Sequence, residues 1–165
     1  MLANFESRII GAGRARAFSM IELVIVVVII GIIGAIAIPR MSRGAAGAAD
    51  SALVADLAVL RNAIDLYEAE HGGDFPALAT FEAQLTEFTD SLGDAQATKD
   101  STHIYGPYLR SVPALKVGTN RGQNGTVATQ GGTTAGWVYD ASTGAISANL
   151  PGTETDDRGV AYSSY

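Results

Sequence analysis

The stretch that most constrains this chain is Leu23–Ile38, sixteen residues without a charge, rich in Val and Ile, with Glu22 standing immediately before it. A helix on the surface of a soluble domain keeps a polar outer face, and this run has none. From Phe18 to Ile38 there are 21 residues, enough to cross about 30 Å of hydrocarbon at about 1.5 Å per residue. A carboxylate in or beside hydrocarbon costs roughly 2.5–3.5 kcal/mol on insertion scales, so Glu22 calls for a partner. A plain signal-anchor has no use for that charge. Neither has a secretory signal, although Ala35-Ile36-Ala37 offers a small-x-small cleavage site that would leave Ile38 as the new start.

Charge orients the segment. Residues 1–17 carry Arg8, Arg14 and Arg16 against Glu6, and arginines beside an apolar run hold that end in the cytoplasm. Arg40 and Arg43 follow the run and weaken the asymmetry. Beyond residue 17 there are 8 basic and 16 acidic residues, a net charge of −8, which is a poor electrostatic match for nucleic acid. Gly11-Ala12-Gly13 is no phosphate loop, because no strand precedes it and the pattern stops there.

Ala17-Phe18-Ser19-Met20-Ile21-Glu22-Leu23, followed by the apolar run and Pro39, resembles the start of a type IV pilin or type II secretion pseudopilin. The resemblance implies cleavage by a prepilin peptidase between Ala17 and Phe18 and methylation of the new Phe18 amine; Ala17 stands where the family usually has Gly. It implies that Glu22 of one subunit pairs with the Phe18 amine of a neighbour during assembly, two charges that are each costly in lipid becoming a pair. It also implies a helix that can melt locally in the filament, here at Gly31, Gly34 and Pro39. Glycine is a poor helix former, and Pro39 cannot donate to the carbonyl of Ala35.

After Pro39 the pattern stays helical. Leu53, Leu57, Leu60, Ile64 and Tyr67 step by four, three, four and three along one stripe, which predicts core packing. Arg61 and Asp65 have i, i+4 spacing, and His71-Gly72-Gly73 supplies a stop. Gly44-Ala45-Ala46-Gly47-Ala48-Ala49 suits either close helix contacts or a flexible neck. Phe81, Leu85, Phe88 and Leu92 predict a second helix over 80–92 with Thr80 as N-cap, and residues 93–103 a polar loop.

Tyr105-Gly106-Pro107-Tyr108-Leu109 is similar to the Gly-Pro-Tyr-Leu segment of major pseudopilins. Residues 118–136, with six glycines, predict a surface loop or long hairpin connection. The sequon Asn124-Gly125-Thr126 inside it is too short a match to assign glycosylation. Trp137-Val138-Tyr139 and Ala145-Ile146-Ser147-Ala148 around Asp140-Ala141-Ser142-Thr143-Gly144 predict a β-hairpin. That turn lacks the further acids and distal Glu of a calcium loop. Glu154, Asp156 and Asp157 read first as an acidic solvated tail; the resemblance implies a calcium loop there in major pseudopilins, which makes them candidate Ca2+ ligands, but the tail does not reproduce that loop, and the absence of cysteine excludes the disulfide of many type IV pilins. His71 and His103 have no companion at metal-ligand spacing, and a Walker loop, a nucleophile elbow and HExxH are absent.

These readings converge on an α+β chain of the pilin fold, a long N-terminal helix packed on a small antiparallel sheet, with no enzymatic role. Its expected divisions are a leader over 1–17, a membrane and assembly helix over 18–39, an amphipathic helical half over 40–71 and an α+β head over 72–165. The implied life history is a single-pass cytoplasmic-membrane protein with its N-terminus inside, then a periplasmic or cell-surface filament. The implied partners are other pilin-like subunits, prepilin peptidase, an inner-membrane assembly platform and membrane lipid. A pseudopilus subunit is favoured over a surface pilus subunit by the cysteine-free head and the Gly-Pro-Tyr-Leu segment. A membrane-anchored binding module and a secreted protein cut after Ala37 are the competitors outside the family.

Overall fold

Helix α1 runs from Met20 to Glu70 in the computed structural model of the chain, which describes residues 18–165. The chain divides into two units, one ending at Met41 and the other comprising Ser42–Tyr165.

In the first unit the helical assignment continues through Gly31, Gly34 and Pro39. Met20–Ala37 is long and apolar enough to cross a membrane by length and composition, and none of it is buried within the chain.

The second unit is built on the stripe that the spacing predicts. Leu53, Leu57, Leu60, Ile64 and Tyr67 are all buried, and Ala63 joins them. Burying each large apolar side chain contributes about 1.5–3 kcal/mol, so this face is the main reason the segment is a helix here. The helix stops as its sequence predicts. Gly72 and Gly73 take positive φ, and the Gly73 N–H reaches back to the carbonyl of Glu68 at 2.9 Å.

A 3-10 turn, Leu78–Thr80, leads into α2, Phe81–Thr86, which buries Phe81 and Leu85. The helix expected over 80–92 therefore ends six residues early, and Thr80 makes no side-chain cap. The reason is local competition. Asp90 Oδ1 accepts the N–H groups of Leu92 and Asp94, each at 2.9 Å, and Gly93 adopts φ +81, so the chain closes a tight turn instead of another helical one. Phe88–Thr89 becomes strand β1, antiparallel to β2, Ala95–Gln96, and Leu92 at the turn is 90% exposed rather than core.

The second sheet has order β3-β4-β5. Strands β4, Trp137–Asp140, and β5, Ala145–Ala148, form the predicted antiparallel hairpin, with Trp137 opposite Ala148 and Asp140 opposite Ala145. Trp137 and Tyr139 point into the core and Asp140 out, the period-two alternation of a half-buried strand. Asp140 builds the turn by accepting from the N–H of Ser142 and the hydroxyls of Ser142 and Thr143. Gly144 is required there: its φ is +71, and a Cβ would lie 2.5 Å from Cε1 of Phe75. Strand β3, Thr126–Val127, adds in parallel to β4, so the sheet is mixed by one two-residue strand. The result is an α+β pilin-like fold in which helices and small sheets share one apolar core.

Candidate functional site: the N-terminal segment and the fastened tail

Ala17 lies outside the described residues. Phe18 is 80% exposed, and Glu22 sits exposed in the first turn of α1, where a carboxylate complements the helix dipole. That dipole is the extent of its compensation: among the described residues, no cation lies within ion-pair distance of Glu22. A Cβ at Gly31, Gly34, Gly44 or Gly47 would meet nothing within 4 Å. Packing inside the chain therefore does not demand glycine at these four positions.

The structure gives two of the three tail carboxylates hydrogen-bond partners within the chain. Asp156 Oδ1 accepts the N–H groups of Arg158 and Val160, both at 2.8 Å, and Oδ2 accepts Arg158 Nε at 2.7 Å and the Tyr165 hydroxyl at 2.6 Å. The Tyr165 hydroxyl first, then these N–H donors, hold the Asp156 carboxyl well below the usual carboxylate range. Glu154 is turned elsewhere, accepting from the Thr119 N–H at 3.0 Å and its hydroxyl at 2.8 Å, and Asp157 is exposed. Among the described residues, no three His, Asp or Glu side chains are placed to share a metal.

What these residues build instead is a fastening of the tail to α1. The Tyr162 hydroxyl donates to Asp50 at 2.7 Å, and burial and that carboxylate push its pKa up to about 12. Arg61 donates to the main-chain oxygens of Ile146, at 3.1 Å, and of Tyr165; the i, i+4 pairing with Asp65 is not what holds it. Arg158 Nη2 reaches the Tyr165 hydroxyl at 2.6 Å. A cleft of about 480 Å³ remains beside this fastening, with Asp50, Val54 and Arg158 among its walls. The sequence offers no local signal for the contacts of Asp50 and Arg61, because their partners lie 85 to 112 residues away along the chain and obey no periodicity.

Two further polar pins hold the Gly-rich stretch. Asn120, 3% exposed, directs Nδ2 at the carbonyls of Gly132, Ala135 and Asn149 at 3.0, 3.1 and 2.7 Å. Asn149 in turn receives the Gly131 N–H at 2.8 Å and donates to the carbonyls of Gly131 and Ala135. Residues 118–136 are thus a fastened loop that carries β3.

Against the family models, residues 13–38 match the prokaryotic N-terminal methylation motif. The chain carries a type IV pilin-like N-terminus. The comparison with curated proteins and the comparison with solved structures each give no match. The motif belongs to structural, prepilin-processed subunits. Together with the apolar helix it fits a pilin-like subunit anchored in a membrane.

Proposed function

We propose that this chain is a building block of a helical extracytoplasmic filament, assembled through its N-terminal helix. The observation that carries the reading is the methylation motif at 13–38, which includes the apolar stretch Met20–Ala37 whose one carboxylate, Glu22, has no cationic partner among the described residues. Residues 1–17 act as the leader. Cleavage after Ala17 frees the Phe18 amine, its methylation follows, and Glu22 of an incoming subunit pairs with that amine on a neighbour. Residues 18–39 serve as the membrane and assembly helix, 40–71 as the amphipathic half and 72–165 as the head. Gly31, Gly34 and Pro39 are the place where the helix gives way on assembly.

A second copy also suits the outer side of α1 in the head unit. Val54, Val59 and Leu66 are exposed there beside Ala55 and Ala58, an apolar row that the head leaves uncovered. Within the family we favour the type II secretion pseudopilus. The Gly106-Pro107-Tyr108-Leu109 segment supports it as a built feature of the head. The Tyr108 and Leu109 N–H groups both donate to the carbonyl of Leu85, at 3.0 and 2.8 Å, and the Tyr108 hydroxyl donates to Glu70 at 2.5 Å. The cysteine-free head points the same way. A surface type IV pilus subunit is the second reading, favoured only by the shared N-terminal motif.

The decisive experiment is mass spectrometry of the mature N-terminus from native membranes. A methylated Phe18 start supports the proposal; a start at Ile38, or an intact residue 1, overturns it. Loss of enzyme secretion in a deletion strain with normal surface piliation distinguishes the pseudopilus from the pilus.

A further inference from the structure

Loop 94–103 closes on a cluster of three carboxylates and one imidazole that the filament reading does not use. Asp100 Oδ1 accepts the Thr102 N–H at 2.8 Å, the Thr102 hydroxyl at 2.9 Å, the His103 N–H at 2.7 Å and lies 3.0 Å from His103 Nδ1. An ionised carboxylate only accepts, so His103 Nδ1 carries a proton whenever it bonds Asp100; in the other neutral tautomer Nδ1 would accept from the Thr102 hydroxyl, also at 3.0 Å, and turn a lone pair toward that carboxylate. That assignment fixes the problem on the other side of the ring. Nε2 is buried without a hydrogen-bond partner and faces Asp94 Oδ2 at 3.6 Å, an ion-pair distance. In the neutral tautomer protonated at Nδ1, Nε2 would be a bare lone pair, shut off from water and aimed at a negative oxygen; in the other, Asp100 would lose its ring donor. With a second proton, the same nitrogen becomes a cationic donor held between Asp94 and Asp100. The His103 side chain is 12% exposed, so solvent does little to relieve the first arrangement.

We propose that His103 is a protonation-controlled fastener: as imidazolium it ties Asp94, at the head of β2, to Asp100 and closes loop 94–103, and on losing its proton it releases the Asp94 side. The charged groups facing it are Asp94, Asp100 and, at longer range, Asp90 of the preceding turn. Lys99 is directed away, over the ring of Phe88 at 5.9 Å, and does not oppose the charge. The carboxylates raise the His103 pKa, with the Asp100 hydrogen bond as the largest cause. The sign follows from linkage. The closed loop binds the proton more tightly than the open one, so closure is fully favoured below the open-state value of about 6.5 and is lost as pH rises through the closed-state value. Between those two points, opening increases about tenfold per pH unit. Release leaves the three carboxylates without their shared cation, so an already anionic patch gains one further negative charge.

The test uses the full chain in detergent micelles. Imidazole NMR follows the two histidines, with His103→Gln assigning the resonances, and hydrogen exchange corrected for intrinsic base catalysis follows the Thr102 and His103 amides. The expected results are a His103 titration above 6.5, amide opening that climbs about tenfold per pH unit between 6.5 and that titration point and is flat below 6.5, and a lower titration point in Asp94→Asn. His103→Gln, which cannot titrate, should flatten the pH dependence while Trp137 fluorescence reports a folded head. A His103 titration at or below 6.5 overturns the proposal. So does protection that does not change with pH, or a pH dependence that persists in His103→Gln.

Discussion

Replacing Asn120 by Asp exchanges one nitrogen for one oxygen at nearly constant volume, yet it should be among the most damaging single changes in the head. The amide Nδ2 has two hydrogens and faces three carbonyl oxygens at 2.7–3.1 Å, while Oδ1 is buried without a protein donor. Turning the amide over would set an acceptor against three acceptors, so the side chain has one usable orientation. Asn120→Ala deletes two hydrogen bonds, each worth about 0.5–1.5 kcal/mol net, for a loss of about 1–3 kcal/mol. Asn120→Asp loses the same bonds and adds a charge with no counter-ion, so at neutral pH the loss should reach about 3–5 kcal/mol. Part of it returns in acid, because a protonated carboxyl can donate once. The variant's carboxyl is raised in the folded state, so the extra penalty is absent below about pH 3.9 and grows by about 1.4 kcal/mol per pH unit until the folded value is reached. Urea unfolding of the full chain in micelles, read by the single tryptophan Trp137, which is fully buried, measures both effects. If Asn120→Asp at pH 7 is as stable as Asn120→Ala, or if the difference between them ignores pH, the reasoning about Nδ2 is wrong.

Leu57→Ala removes a fully buried side chain from the α1 stripe and should cost about 2–5 kcal/mol in the same unfolding assay. Tyr139→Phe deletes a buried hydroxyl that donates to the Pro76 carbonyl at 2.9 Å, and a loss of about 1–3 kcal/mol without change of fold is expected by unfolding and circular dichroism. Asp156 carries a depressed folded pKa, so its contribution is present above about pH 3.9 and fades as pH falls toward the folded value; Asp156→Asn should flatten that acid limb of the stability–pH curve. Glu22→Ala should insert into membranes normally yet fail to join filaments beside wild-type subunits, and normal incorporation would refute the pairing with the Phe18 amine.

The parts of this fold that announce themselves in the sequence are those with a short period. The Leu53–Tyr67 stripe, the Gly72-Gly73 stop and the Trp137–Ala148 hairpin each follow from spacing or turn chemistry over a few residues. Phe88 and Leu92 show how such a signal misleads. They continue the helical spacing of Phe81 and Leu85, but Asp90 captures the backbone and ends the pattern. At the candidate site, Glu22 is legible because a lone carboxylate beside sixteen uncharged residues is conspicuous. Asn120, Asn149 and Arg61 are not legible. Each acts by reaching a main-chain oxygen distant along the chain, and nothing near it in sequence encodes where that oxygen will be.

The fastening of Tyr162 to Asp50, and of Arg61 to the main chain at Tyr165, joins positions 112 and 104 residues apart. In any process that delivers the chain from its N-terminus onward, the middle of α1 therefore waits for its last partners until more than a hundred further residues have emerged. Closing a contact of that span carries a large loop entropy, so it forms late. A head stalled before residue 162 leaves Asp50 without the Tyr162 hydroxyl and Arg61 with the Ile146 carbonyl alone, so the tail side of α1 stays open to water.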